Sequence, residues 1–225
     1  MNTRFTFILL FVISISIAAC GGSSKQFIKT DYINGNGNGN GPGSLSVLKI
    51  NFEDFGSDFS EHDFGRLQTT EKSVFQNSII TFFTPSSNSE HKGELNRADL
   101  KNSEFEVRNF SEEGTSISVI APVQGAVLGN DYVNTRYVVI FDQFRFRQYM
   151  SDRESQYYGG GAPNPIVYVN FETKYVIWDN EIGDAIGWGT VDADRRVETT
   201  RMVEIYNELL EESLQKMVRK SPFRT

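Results

Sequence analysis

The sequence predicts an α/β (α+β) domain with a mixed, largely antiparallel sheet and a C-terminal amphipathic helix packed on one face. The uninterrupted apolar run at residues 137–141 is typical of a central strand buried on both faces. Residues 166–191 have the pattern of two strands joined by a turn at 179–183. Residues 199–220 place apolar side chains along one helical stripe, and Pro222 follows them.

The earlier elements are predicted from shorter patterns. Residues 45–52 mix alternation with β-branched side chains and predict a first strand. Residues 67–83 fit a helix, although their second half fits a strand equally well. Residues 85–96 are polar and predict a loop, whereas 105–110 and 116–123 predict short strands separated by a turn at Glu113 and Gly114.

An aromatic and basic group follows the central strand. Phe144 and Phe146 are expected on one face of the continuing strand, and Arg145 and Arg147 on the other. Tyr and Arg dominate the energetics of many interfaces, so this group is a candidate binding surface for an acidic partner or a glycan. The alternative is an exposed strand face beside a tyrosine-rich loop. The candidate residues are Arg145, Arg147, Tyr149, Arg153, Tyr157 and Tyr158.

Composition excludes several classes of function. The 225 residues include 22 Lys and Arg against 29 Asp and Glu, a formal charge of −7. Nucleic-acid binding is therefore not expected, because phosphate contacts need clustered cations. The single Cys excludes an internal disulfide and a cysteine-rich zinc site.

The N-terminus has the pattern of a signal peptide over residues 1–19. Arg4 supplies the positive charge, and residues 5–18 form an apolar stretch that is shorter than the roughly 20 residues of a membrane span. Two small residues then precede Cys20, the only cysteine of the chain.

Ile17, Ala18, Ala19 and Cys20 resemble the lipobox of bacterial lipoproteins. The resemblance implies cleavage before Cys20, acylation of that residue and attachment to membrane lipid. Gly21, in place of Asp, implies the outer membrane, with the protein facing the periplasm or the surface. The alternatives are an ordinary secretory signal or a buried apolar strand.

Residues 20–44 are predicted to be the lipidated cysteine and a flexible tether, because residues 34–43 are a low-complexity run of Asn and Gly. Such a coil would reach roughly 25–30 Å and would let the folded part stand away from the membrane. A single folded domain is then expected over residues 45–222.

Residues 132–222 resemble, remotely, the curli-secretion lipoproteins and the lipoprotein activators of penicillin-binding proteins. The resemblance lies in a buried strand, a long hairpin and a terminal helix, and in the segment from Trp178 to Trp188. Asp179, Gly183 and Trp188 agree with that family's hairpin pattern, whereas Ile182 stands where the family has Thr. This family resemblance implies an α/β domain with an accessory role in the cell envelope.

Catalytic and metal sites have little support in the sequence. His62 lies among acidic residues at 53–63, but their spacing fits no known metal loop, so neither a metal nor a cofactor is expected. One segment loosely resembles a calcium-binding loop, although turn chemistry explains its residues equally well. These residues are Asp179, Glu181, Gly183 and Asp184. Trp188 lies between two glycines and is expected in the core rather than on a ligand platform.

The sequence therefore predicts a lipid-anchored envelope protein with a non-catalytic binding or assembly-accessory role and an envelope protein as partner. One alternative is a structural subunit that oligomerises through its sheet edges. A second is an envelope hydrolase that uses His62 or His91.

Overall fold

The computed structural model describes residues 25–33, 44–49, 56–57, 90–97, 100, 104–112, 114–156 and 164–223. The predicted signal peptide, the lipobox with Cys20, the Asn/Gly run at 34–43, the acidic residues around His62 and the uncertain element at 67–83 lie outside these residues, apart from Gly56 and Ser57. In the described part, no helix is long and apolar enough to cross a membrane.

Two sheets and two α-helices make up the described fold. The strands are β1 (Lys25–Ile28), β2 (Ser44–Lys49), β3 (Gly56–Ser57), β4 (Glu90–Asn96), β5 (Phe105–Glu112), β6 (Thr115–Pro122), β7 (Tyr137–Gln156), β8 (Asn164–Asp179) and β9 (Asp184–Arg196). The helices are α1 (Thr30–Ile33) and α2 (Met202–Arg219), and a 3-10 turn at Thr199–Arg201 leads into α2.

The main sheet is mixed, as predicted. Its strand order is β1-β9-β8-β7-β2-β4, with β3 paired to β7 beyond the end of β2. The pairs β7–β8, β8–β9 and β1–β9 are antiparallel, whereas β2 pairs in parallel with β4 and β7. The hairpin of β5 and β6 forms a separate two-stranded sheet, in agreement with the two short strands predicted there.

Two hydrophobic cores lie on opposite faces of the main sheet. On one face α2 packs through a stripe of buried residues, among them Leu209, Leu214 and Met217. On the other face the β5–β6 hairpin covers Ile140, Val176 and other side chains of the same strands. Buried residues alternate between the two cores along β7, so residues 137–141 are buried on both faces, as predicted.

The predicted hairpin and C-terminal helix are confirmed. The turn between β8 and β9 closes with Gly183 at φ 61°, and a Cβ there would lie 2.7 Å from the Cα of Gly125. Only glycine satisfies both conditions without strain. Helix α2 ends at Arg219, and Phe223 then packs edge-on against Tyr137 with ring centroids 5.3 Å apart.

The start of the folded part differs from the prediction. The sequence predicts a tether up to residue 44, whereas Lys25–Ile28 pairs with β9 and Lys29 donates its backbone N–H to Ile186 O at 2.8 Å. The local sequence carries little strand signal, and the pairing depends on a free edge of β9 that is remote in sequence. The segment between Cys20 and Ser44 is therefore not a tether along its whole length.

The loop predicted over residues 85–96 is also wrong in part, because Glu90–Asn96 forms β4. This strand is at the end of the sheet order, and of its residues only Leu95 is buried. A strand at such a position needs few apolar side chains, so its sequence resembles that of a polar loop.

Candidate functional site

Strands β7, β8 and β9 extend beyond the core under the β5–β6 hairpin, and we call this extension the arm. Along β7 the arm begins near the bulge between Phe141 and Gln143. On the helix side of the arm the core continues through Phe146, Phe171 and Ala193. On the hairpin side none of the described core residues lies beyond this level, so that surface of the arm is polar.

Three of the predicted binding residues lie on this polar surface, which we call the arm face. Arg145, Arg147 and Tyr149 alternate along β7, so their side chains share one face, opposite the buried Phe146. The predicted alternation is therefore confirmed at these positions. The side chain of Arg153, within β7, is not among those described, and Tyr157 and Tyr158 lie outside the described residues.

The strand register arranges the arm face in three rows that cross all three strands, and β7 and β8 alone continue beyond them with Ser151 opposite Ile166. Starting from the hairpin-side core, the rows are Arg145, Glu172 and Asp192, then Arg147, Asn170 and Asp194, then Tyr149, Tyr168 and Arg196. Counting formal charges, the first row carries one positive and two negative groups (−1), the second one of each (0), and the third a single positive group (+1). The arm face thus changes from acidic to basic and aromatic toward its end.

Hydrogen bonds hold the last two rows together. The Tyr149 hydroxyl donates to Asp194 Oδ1 at 3.0 Å, and Asn170 Nδ2 donates to the same oxygen at 3.1 Å. The Tyr149 ring stacks on Tyr168 with centroids 5.6 Å apart. Partial burial and the adjacent Asp194 carboxylate raise the pKa of Tyr149 to about 12, so the hydroxyl remains a neutral donor. These contacts orient the aromatic pair before any partner binds.

A second polar cluster lies at the opposite end of the sheet, around the β8–β9 turn. The buried Asp179 carboxylate accepts hydrogen bonds from Arg136 Nη2 at 3.2 Å, from the Tyr32 hydroxyl at 3.1 Å and from the Glu181 backbone N–H at 2.9 Å. Burial and this carboxylate raise the pKa of Tyr32 to about 12. The cluster connects α1 to the turn.

Asn180 and Asp184 complete the contacts of this turn. Asn180 exchanges hydrogen bonds with the backbone of Leu128 at 2.7 and 2.8 Å, and Asp184 pairs with Lys29 Nζ at 3.0 Å and Arg108 Nη2 at 3.4 Å. The contacts of Asp179, Asn180 and Asp184 thus lie within the fold and stabilise it, in agreement with turn chemistry. Arg136 and Tyr32 were missed at the sequence level, because nothing local marks residues that are 43 and 147 positions away from Asp179.

Trp188 is a core residue, as expected. It is 6% exposed, and its ring lies between Phe27 and Phe110 at centroid distances of 4.4 and 4.9 Å. Its buried Nε1 has no hydrogen-bond partner in the described part of the chain. The neighbouring Gly189 lets β1 approach, since a Cβ there would lie 2.5 Å from Lys25 O.

The histidines of the hydrolase alternative are not brought into a described catalytic group. His62 lies outside the described residues, and His91 is on β4, beside Leu45 of β2. Burial lowers the pKa of His91, and its Nε2 has no hydrogen-bond partner among the described residues. Over the same residues, no group of three or more His, Cys, Asp or Glu side chains is placed to hold a metal ion.

No family model matches the chain, and no curated protein matches it. Among solved structures the chain is similar to a minor lipoprotein from Acinetobacter baumannii, with 10% identity and a TM-score of 0.39 over 80% of this chain and 90% of that one. It is also similar to the PelC dodecamer from Paraburkholderia phytofirmans, with 11% identity and a TM-score of 0.36 over 91% and 100% of the two chains. A third is a Xanthomonas campestris protein of the DUF330 family, with 10% identity and a TM-score of 0.39 over 80% and 86%.

Proposed function

We propose that this chain is a lipid-anchored protein of the cell envelope with a non-catalytic binding or assembly-accessory role, and that the arm face is its binding surface. Cys20 carries the anchor, because the only cysteine of the chain directly follows an apolar stretch and two small residues. Several acyl chains on one residue would hold the protein firmly on an outer-membrane lipid surface.

The arrangement of Arg145, Arg147 and Tyr149 on one polar face is the observation that carries the binding role. Tyr149 is 42% exposed although its hydroxyl and ring are already held by Asp194 and Tyr168. A preorganised aromatic side chain beside arginines loses little conformational entropy on binding. The part of the face around Arg147 and Tyr149, away from the acidic first row, fits an acidic partner, since a guanidinium pairs with carboxylate or phosphate.

The anchor is tested by mass spectrometry of the N-terminal peptide of the native protein and by detergent-phase partitioning. The native peptide is expected to begin at Cys20 and to carry acyl chains, and Cys20→Ala is expected to move the protein out of the detergent phase. A peptide that begins elsewhere, or an unmodified thiol, would contradict the anchor.

The binding surface is tested by a photo-crosslinking residue placed at Arg147 in the native envelope. We expect a specific product from position 147 and none from position 203, since Val203 is 55% exposed on α2 and lies on the other side of the sheet. A product of twice the mass of the chain would identify a second copy and favour the self-assembling subunit. Equal products from both positions would contradict the arm face as the binding surface.

A further inference from the structure

The path of the chain into β1 indicates where the membrane anchor lies relative to the fold. Lys25 pairs with Thr190 and Ile28 with Gly187, so β1 runs from the middle of β9 toward the β8–β9 turn. The first residue of β1, Lys25, therefore lies at the end of this strand that is nearer the arm. Lys29 and Tyr32, which follow β1, are fixed at the turn end by Asp184 and Asp179.

The connection between the anchor and β1 is short. Residues 21–24 are the only ones between Cys20 and Lys25, and five Cα–Cα steps span at most about 18 Å. On β9 the arm continues from the level of Thr190 to Arg196, and β7 and β8 continue beyond that level to Gln156 and Asn164. Six strand residues cover roughly 20 Å, so Arg196 and the anchor have a similar reach from Lys25.

The Asn/Gly run does not lengthen this connection. It follows β1 and joins Ile33 to Ser44, and both of these lie at the turn end, where Tyr32 contacts Asp179 and Ser44 Oγ accepts from the Arg136 backbone N–H at 3.1 Å. A longer or shorter run therefore leaves the number of residues between Cys20 and Lys25 unchanged.

The side chains of the arm face change from acidic to basic and aromatic with distance from the hairpin-side core. The last row that crosses all three strands, Tyr149, Tyr168 and Arg196, has no carboxylate, and the row before it holds Arg147 together with Asp194, which binds the Tyr149 hydroxyl. Tyrosine rings favour the headgroup level of a bilayer, and guanidinium groups bind phosphate oxygens in bidentate geometry. The acidic first row, with Glu172 and Asp192, lies farthest from this last row.

We propose that the basic and aromatic part of the arm face, formed by Arg147, Tyr149, Tyr168 and Arg196, rests on the phospholipid headgroups of the membrane that holds Cys20. This proposal rests on the proposed function and names the acidic partner of the same surface as lipid phosphate. The short connection confines the domain to the bilayer surface, and the arm face orients it there. The β8–β9 turn then faces away from the membrane.

The experiment measures the depth of two fluorescent labels in the acylated full-length protein. Met150 and Ile182 are 55% and 51% exposed and lie at opposite ends of the sheet. Because Cys20 is acylated, Met150→Cys and Ile182→Cys each supply a single free thiol for labelling. The proteins are reconstituted in vesicles of phosphatidylcholine and phosphatidylglycerol that carry a headgroup-attached quencher. We expect severalfold stronger quenching of the label at position 150 than at position 182.

Two insertions test whether the short connection orients the domain on the membrane or only keeps the domain near it. A flexible ten-residue insertion between residues 24 and 25 is expected to abolish most of the difference between the labels, whereas the same insertion within residues 34–43 should leave it unchanged. Arg147→Glu is expected to reduce quenching at position 150, and Lys220→Glu, an exposed charge reversal after α2, should not.

The experiment distinguishes failure of the proposed function from failure of this inference alone. A protein that lacks acyl chains and stays in the supernatant overturns the proposed function and this inference together. An acylated, vesicle-bound protein whose two labels are quenched equally, or whose label at position 182 is quenched more, overturns this inference alone. A protein crosslinked specifically from position 147, with no quenching at 150, would assign the arm face to a protein partner instead.

Discussion

At the scale of single residues, the most consequential side chain is Asp179, a fully buried carboxylate. It faces Arg136, which is only 15% exposed and also contacts Glu181 at the surface. Burial lowers the pKa of Arg136, but the hydrogen bond that it donates to Asp179 and the nearby negative charges outweigh that effect and raise the pKa. A buried charge of this kind depends on its partner.

Asp179→Ala is therefore expected to destabilise the protein strongly, by about 3–5 kcal/mol, because it removes the buried partner of the Arg136 guanidinium and leaves it only the exposed Glu181. Glu181→Ala is a matched control, since it removes a second carboxylate from the same guanidinium but one that is 59% exposed. It should cost less than about 1 kcal/mol. Urea unfolding of both variants checks this, and equal losses would contradict the assignment.

Asp184 is expected to make stability depend on pH. Burial alone would raise its pKa, but the hydrogen bond from Lys29, together with the charge of Arg108, holds the pKa below its ordinary value. A carboxyl group with a lowered folded-state pKa adds stability above its unfolded-state pKa of about 4, and this contribution is lost as the pH falls through the folded-state value.

Asp184→Asn should consequently lower the free energy of unfolding at neutral pH and should make less difference as the pH falls below about 4. Chemical unfolding of the wild type and of the variant over a pH series measures this difference. A gap between the two proteins that stays constant down to acid pH would contradict the ion pair with Lys29 and Arg108.

At the scale of elements, the β1–β9 pair depends on glycine at position 189. A Cβ there would lie 2.5 Å from Lys25 O and 2.9 Å from the Cα of Gln26, both on β1. At Gly187 the nearest atom, Phe27 O, is 3.2 Å away, so the neighbouring strand needs to move less. The contact between β1 and the core also includes the Phe27 ring on Trp188.

Gly189→Ala is expected to displace β1 from the sheet edge and to speed hydrogen exchange of the β1 amides severalfold. Gly187→Ala should have a smaller effect on the same amides. Exchange in the β7–β8 pair should change little in either variant, because those strands are held by their own register and by both cores. Unchanged protection of β1 in Gly189→Ala would contradict the close approach.

At the scale of the whole molecule, strands β7, β8 and β9 contribute side chains to both cores. Val139 and Ile177 pack on the helix side, whereas Val138 and Val176 pack on the hairpin side. Loss of either core removes support from the strands that build the other. We therefore expect the described fold to unfold in one cooperative transition.

The two tryptophans provide the test of this coupling. Trp178 and Trp188 both belong to the hairpin-side core, whereas α2 packs on the other side. Denaturant curves recorded by tryptophan fluorescence and by helical circular dichroism should coincide. Curves with separate midpoints would show that the two cores unfold independently.

Sequence patterns by themselves determined the elements whose environment is uniform along their length. The apolar run at 137–141, the alternation through Arg145 and Arg147 and the stripe of α2 each repeat with the period of the element they form. Burial on one or both faces imposes that period, so it is visible without knowledge of the fold. The turn at 179–183 was predictable for a similar reason, because Gly183 has a backbone conformation that favours glycine.

Tertiary structure alone decided where the ends of the sheet lie and what they contact. β1 and β4 gain their partners from strands far away in the chain, and end strands with one neighbour need few apolar side chains, so neither has a clear local pattern. The partners of Asp179 and the three rows of the arm face arise from strand register, which depends on pairing between distant residues. A periodicity reports which face is buried, whereas the identity of the neighbour is a property of the folded molecule.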